Sequence, residues 1–206
     1  MIVATMITYN DWPLVKQAVE SVIDKVDQMI IVDGRYRDFP GKHFLSTDGT
    51  KEYLDSINGG KIRVVYAANF DEVGKRNIYL SRIRDGDTVL NIDTDEVLIT
   101  DIPELESDIG IIRIGEDGDR RRHRRTIRFF RYHDGLHYWG QHKLILDKNN
   151  KVFAWLNRVG SNYSVQDTKV EFLHNNHKRS YNRIKDKNQY YKILLKREAK
   201  IDVSIT

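Results

Sequence analysis

Gly86-Asp87-Thr88-Val89-Leu90-Asn91-Ile92-Asp93-Thr94-Asp95-Glu96 is the stretch on which the fold turns. Gly86-Asp87 is a turn signal, Thr88–Ile92 is an apolar run of strand length, and carboxylates follow where the chain leaves the sheet. Toward the amino terminus the same grammar recurs. Ile2–Thr8 reads as a strand. Asn10-Asp11 offers a helix cap with Pro13 in the first turn, and Leu14, Ala18, Val19, Val22 and Ile23 follow at helical spacing. Met29–Val32 is a second buried strand ending at Asp33-Gly34. Thr47-Asp48 caps a helix whose apolar face is Tyr53, Leu54 and Ile57, and Gly59-Gly60 ends it. Ile62–Tyr66 is a third strand, and a helix over roughly residues 71–84 leads back to the opening stretch. The order β-α-β-α-β-α-β with right-handed crossovers predicts a mostly parallel, doubly wound α/β sheet. Ligands on such sheets sit at the carboxyl ends of the strands. Tyr9, Asp33 and Asp93 all lie just past strand ends, so they are expected on one rim.

The second half reads differently. Ile109–Ile114, Thr126–Tyr132, Leu136–Trp139, Leu144–Leu146 and Val152–Leu156 look like short strands, several joined as hairpins, with Asn149-Asn150 a tight turn. The run Arg120-Arg121-Arg122-His123-Arg124-Arg125 falls between the first two and is expected as a loop, either solvated or a flap over an anionic ligand. Val170–Leu173 is a last strand, and a basic helix is predicted over about 178–200, with Tyr181, Ile184, Tyr191, Leu194 and Leu195 as its apolar stripe. No repeat or low-complexity linker divides the chain. One domain over 1–206 is expected, with a nucleotide-binding half (1–100) and a mixed β half (101–206) carrying the terminal helix.

The 206 residues are 40% hydrophobic and 31% charged with only 3 prolines, a globular composition. At this length roughly 70% of the unfolded surface can be buried. The absence of cysteine excludes a disulfide scaffold, a thiolate zinc site, an iron–sulfur cluster and a cysteine nucleophile. It fits a reducing compartment, so a cytoplasmic location is expected. No apolar run approaches the ~20 residues of a membrane span, and the amino-terminal apolar stretch, lacking a basic lead-in, reads as a strand and not a signal peptide. The net charge of +4 hides a division. Residues 1–110 carry 12 Lys and Arg against 20 Asp and Glu, a net of −8; residues 111–206 carry 22 against 10, a net of +12. An acidic half suits a metal, and a basic half suits phosphates, anionic lipid or nucleic acid.

Asp93-Thr94-Asp95 at the end of a buried strand is the main chemical signal. Mg²⁺ and Mn²⁺ take oxygen ligands, typically one or two carboxylates plus substrate phosphates. On its own such a pair reads as a solvated acidic turn; its place after the fourth strand of a nucleotide-type sheet favours the cation.

These pieces resemble the family 2 glycosyltransferases of the GT-A fold. Ile2-Val3-Ala4-Thr5-Met6-Ile7-Thr8-Tyr9-Asn10 is similar to the family's opening strand. Ile31-Val32-Asp33-Gly34 and Ser46-Thr47-Asp48-Gly49-Thr50 resemble a single family run, here split by Arg35–Leu45. Gly74-Lys75-Arg76-Asn77 looks like the start of its third helix, and residues 86–96 like its acidic step. The likeness covers about the first hundred residues. Further on, Ile127-Arg128-Phe129-Phe130-Arg131 with Gly135, Tyr138, Gly140 and His142 is similar to one branch, except that Lys143 stands where that branch has glutamate. Phe172-Leu173-His174 resembles a step at which a histidine completes the metal site.

The resemblance implies a metal-dependent transfer of a sugar, with inversion, from a UDP- or GDP-linked donor to an acceptor of unspecified class (protein, glycan or lipid). It implies that Tyr9 and Asp33 contact base and ribose, that Arg76 steadies the nucleotide, and that Asp93 meets ribose or the cation's water shell. Asp95, with Asp93, would hold Mn²⁺ or Mg²⁺, and His174 would be a third ligand. His142 is the first choice of catalytic base, with Asp134 and Asp147 as alternatives. Tyr36 or Phe39 of the insertion would fold over the base, and Glu96 would stand behind the acidic pair. Two other functions compete. A nucleotidyltransferase usually carries a glycine-rich basic loop after its first strand, and Tyr9-Asn10-Asp11-Trp12 offers none. A nucleic-acid-binding protein using the arginine run and the last helix would leave the carboxylates without a purpose, so no nucleic-acid partner is expected. The basic helix would otherwise pack on the domain or make a peripheral membrane contact.

Overall fold

The computed structural model describes residues 1–116, 119–139, 143–146, 151–155, 158–159, 162–175 and 184–193, with side chains except at 116, 119–123, 143, 145, 146, 151, 152, 155, 158 and 159. The first half runs β1 (Ile2–Thr8), α1 (Leu14–Val22), β2 (Gln28–Asp33), α2 (Thr50–Ile57), β3 (Ile62–Tyr66), α3 (Glu72–Leu80), β4 (Thr88–Asn91) and β5 (Glu96–Leu98). The second runs β6 (Ile109–Glu116), β7 (Asp119–Arg131), β8 (Leu136–Trp139), β9 (Lys143–Leu146), β10 (Lys151–Trp155), β11 (Arg158–Val159) and β12 (Val165–His174). Residues 184–193 form a further helix, α4.

Eight strands make one sheet in the order β3-β2-β1-β4-β7-β6-β12-β5. β1 is parallel to β2 and β4, and β2 to β3. Both faces of β1 and β2 are buried, which is why they read as unbroken apolar runs. On one face Val3, Ile7, Ile30 and Val32 share a cluster with Tyr79 and Leu80 of α3. On the other, Ala4, Met6, Met29 and Ile31 join Val15, Ala18, Val19 and Val22 of α1 and Leu54 of α2. Each such side chain stabilises the fold by about 1.5–3 kcal/mol on burial. Both clusters also draw on the second half, through Phe130 and Phe172 respectively.

Past β4 the same sheet continues with strands of mixed direction from the second half, which was expected to be mixed β. β7 runs antiparallel to β4 and β6, β12 is parallel to β6, and β5 closes the edge antiparallel to β12. A second sheet, antiparallel, has the order β11-β10-β9-β8. The arginine run is not a loop: β7 carries residues 119–131 as one strand, paired with β6 from Ile109↔Phe130 to Glu116↔Asp119.

Several ends differ from expectation for identifiable reasons. α1 starts at Leu14 because the Asp11 carboxylate accepts from the Thr94 hydroxyl (2.9 Å) instead of capping the helix. α3 starts as predicted, with Asp71 accepting from the Gly74 N–H at 2.8 Å. β2 ends at Asp33, just before Gly34, whose φ of +143° and approach to the Ala67 carbonyl leave no room for a Cβ. In α4 the buried residue is Tyr190, which packs on Tyr36 and Phe39 at 5.5 Å. Of the predicted stripe, Tyr181, Leu194 and Leu195 lie outside the described residues, as does the Asn149-Asn150 turn. Among the described residues no helix is long and apolar enough to cross a membrane.

Candidate functional site

A cavity of 260 Å³ opens where β1 and β4 end. Asp11 and Ile7 come to it from β1 and its outgoing loop, Asp93, Thr94 and Asp95 from the loop after β4, and Glu72 and Arg76 from α3. Arg124 and Arg128 come from β7, His174 from the end of β12, and Lys187, Tyr190 and Tyr191 from α4. Tyr36 and Phe39 of the insertion complete the wall. Among the described residues, four basic side chains thus face four carboxylates and one histidine. A lining with both signs suits a ligand that brings charges of both signs, such as a diphosphate with its cation.

Folding places each charge with a partner. The backbone N–H of Asp93 donates to Glu96 Oε2 (2.8 Å), tightening the turn after β4. Glu96 begins β5, and β5 pairs with β12 so that His174 lies opposite Glu96. That pairing delivers His174 Nε2 to 3.1 Å from Asp95 Oδ2 and the Asn175 N–H to the Asp95 carbonyl. Arg128 donates to both oxygens of Glu96 at 2.8 Å and reaches Asp93 Oδ2 at 2.9 Å. Arg76 lies 3.9 Å from the other Asp93 oxygen and packs over the Tyr138 ring. A buried network holds it there: Arg76 donates to Tyr79 OH, Tyr79 OH to Asn91 Oδ1, and Asn91 Nδ2 to Tyr138 OH.

Burial works against the charge on Arg76, and the Tyr79, Tyr138 and Asp93 groups outweigh it, raising its pKa further. Arg128 behaves alike: burial lowers its pKa, while Asp93 and Glu96 raise it by more. Burial lifts the Glu96 carboxyl above its ordinary range, against the pull of Arg128.

The structure brings Arg76, Asp93, Asp95 and His174 together as expected, with Tyr36 and Phe39 over them. Tyr9 and Asp33 do not line the cavity. Tyr9 packs edge-on to Phe39 and donates to the His43 carbonyl, and Asp33 is buried, accepting from Ser46 Oγ at 2.6 Å. Asp134 is not at the site. It is exposed on the turn between β7 and β8, its N–H bonded to Asp85, at the amino-terminal end of β4 where Arg131 pairs with Thr88. His142 and Asp147 lie outside the described residues. Among the described residues no three or more His, Asp or Glu converge into a ready-made cation cage. Asp95 and His174 form a carboxylate–imidazole pair of the ligating kind, whereas the carboxylate of Asp93 is turned toward two arginines.

Among the lining residues to which the sequence reading gave no place at the site are Glu72, Arg128, Lys187 and Tyr190. Arg128 has a signal, a lone charge inside Ile127-Arg128-Phe129-Phe130. The other three sit on helix faces that the periodicity does not orient toward the cavity.

No protein-family model matches the sequence, and no curated protein sequence matches it. Solved structures similar in outline include two of S. aureus TarS. One is S. aureus TarS, with 19% identity and a TM-score of 0.44 over 58% of this chain and 22% of that one. The other is S. aureus TarS 1-349, with 20% identity and a TM-score of 0.44 over 58% and 37%. The chain spans well under two thirds of either, and the likeness is one of coarse α/β fold.

Proposed function

We propose that the protein is a glycosyltransferase that moves a sugar from a UDP- or GDP-linked donor to an acceptor hydroxyl. The observation that carries this reading is the convergence of Arg76, Arg128, Asp93, Asp95 and His174 in one cavity at the carboxyl ends of β1 and β4. The bond between the sugar's anomeric carbon and the diphosphate oxygen breaks, and the acceptor oxygen bonds to that carbon from the opposite face. The leaving nucleoside diphosphate gains negative charge, which fixed guanidinium groups stabilise most when they are already in place. Asp95 and His174 are the residues that would hold Mg²⁺ or Mn²⁺, which when bound supplies Lewis-acid charge to the leaving group. Asp93 keeps the arginines oriented and is proposed to meet the ribose or the cation's water shell. Tyr9 acts through Phe39, the wall residue on which it packs, and Asp33 is buried against Ser46; neither lines the cavity. His142, which follows β8 in sequence, remains the proposed general base; the position of Asp134 argues against it.

Thermal shift with UDP, GDP and a panel of their sugars, with and without Mn²⁺, tests the reading. Ligand at a hundred times its dissociation constant adds about 2.7 kcal/mol. The stabilisation is expected only with the divalent ion, and Asp95→Ala is expected to lose the metal-dependent part while staying folded. Equal stabilisation in the presence of chelator would count against the metal role.

A further inference from the structure

Arg128 is held by two carboxylates at the cavity, Glu96 and Asp93, and the way they hold it points to a specific role. Its side chain is 14% exposed, and Glu96 beneath it is 1% exposed. A buried carboxylate is tolerated only when paired and hydrogen-bonded. Glu96 meets both conditions through two bonds from Arg128 and one from the Asp93 N–H. A guanidinium has five N–H donors in a rigid plane. In Arg128 one terminal nitrogen serves Glu96 and the other serves Asp93, which leaves donors for a ligand in the cavity that Arg128 lines. Asp93 is 34% exposed, with one oxygen 2.9 Å from Arg128 and the other 3.9 Å from Arg76. Its geometry is that of a hub between two guanidinium groups, while Asp95 is turned to His174.

We propose that Arg128 is a binding residue for the diphosphate of the ligand, that buried Glu96 is its positioning residue, and that Asp93 orients Arg128 and Arg76 while Asp95 serves the cation. The two aspartates of Asp93-Thr94-Asp95 therefore have separable tasks. The proposal rests on the transferase reading above. A planar fork fixed on one side by a carboxylate presents its remaining N–H groups to phosphate oxygens at little entropic cost, and a lysine cannot reproduce this.

The test uses inorganic pyrophosphate, UDP and GDP as calorimetric probes in the presence of Mn²⁺, and Mn²⁺ alone followed by electron paramagnetic resonance. Circular dichroism checks that each variant is folded. Arg128→Lys and Arg128→Met are expected to weaken pyrophosphate binding by about ten- to a hundredfold, the range of a lost charge-assisted bond. Mn²⁺ alone should bind them as it binds the wild type. Glu96→Gln should give a smaller loss, since it leaves Arg128 in place but loosely held. Asp93→Asn should weaken pyrophosphate and spare Mn²⁺ alone, and Asp95→Asn should do the reverse in the metal assay. Wild-type pyrophosphate affinity in folded Arg128→Lys and Arg128→Met overturns the proposal and leaves the transferase reading intact. So does loss of Mn²⁺ alone in Asp93→Asn to the same degree as in Asp95→Asn, for the division of tasks. Should Arg128→Met not fold, Arg128→Lys decides. A wild type that binds none of the three probes removes the transferase reading, and the proposal with it.

Discussion

Lys75 is fully buried beside the site. Its ammonium donates to the carbonyls of Thr8 (2.9 Å) and Gly34 and lies 3.8 Å from the centre of the Tyr36 ring. It therefore ties the ends of β1 and β2 to the insertion that walls the cavity. Lys75→Met keeps the stem and removes the donors, so about 1–3 kcal/mol of stability should be lost. Urea unfolding with an unchanged midpoint would contradict that role. Asp33 supplies a pH test. Burial raises its pKa above the ordinary 3.8, against the lowering effects of the Ser46 hydroxyl, Lys75 and backbone N–H groups. A carboxyl raised on folding contributes stability that is full below its unfolded pKa and is lost as pH rises through its folded pKa. The stability of Asp33→Asn relative to wild type should therefore climb from about pH 3.8 upward and then level off; a flat difference across that window would refute the burial argument. Asp93 and Asp95 were legible because they follow the fourth strand of a doubly wound sheet, on the rim where such sheets bind ligands. Arg128 was not, because a single charge in a strand reads by alternation as solvent-facing, and only the buried Glu96 across the turn reverses that.

At the scale of elements, β7 holds the sharpest contrast between sequence and structure. Six consecutive basic and histidine side chains favour neither packing nor turn, and the pattern suggests a loop. Pairing with β6 and β4 imposes a strand instead, and the strand then sorts neighbours onto opposite faces. Arg124 lines the cavity. Arg125 faces away and pairs with Asp167 at 3.2 Å. Arg124→Ser should lower donor turnover, with the effect shrinking as salt rises and the Debye length falls from ~10 Å at 0.1 M to ~3 Å at 1 M. Arg125→Ser should leave turnover alone, and neither should move the melting temperature much, since exposed ion pairs contribute about 0–1 kcal/mol. Equal turnover in the two variants would show that the strand's alternation has no bearing on the site. β5 went unseen because three residues carry no period. Yet its pairing with β12 is what brings His174 to Asp95, a meeting that sequence supplied only through resemblance.

Over the whole molecule, the acidic and basic halves of the sequence both contribute side chains to the cavity. Asp11, Glu72, Asp93 and Asp95 come from the acidic half, and Arg124, Arg128, His174 and Lys187 from the basic half. The parallel order of β1 to β4 followed from apolar runs and helical periods alone. The antiparallel entry of β7 did not, since hairpin-like strands can join a sheet at either edge or form their own. The claim that joins these scales is that the cavity transfers a sugar with the help of Asp95. Its most direct test is release of nucleoside diphosphate from UDP- and GDP-sugars, measured with Mn²⁺ or Mg²⁺ and again with chelator, for the wild type, Asp95→Ala and Asp134→Ala. Metal-dependent release by the wild type and Asp134→Ala, and its loss in folded Asp95→Ala, is the predicted result. Release by Asp95→Ala at the wild-type rate, or none from any donor by the wild type, would contradict it.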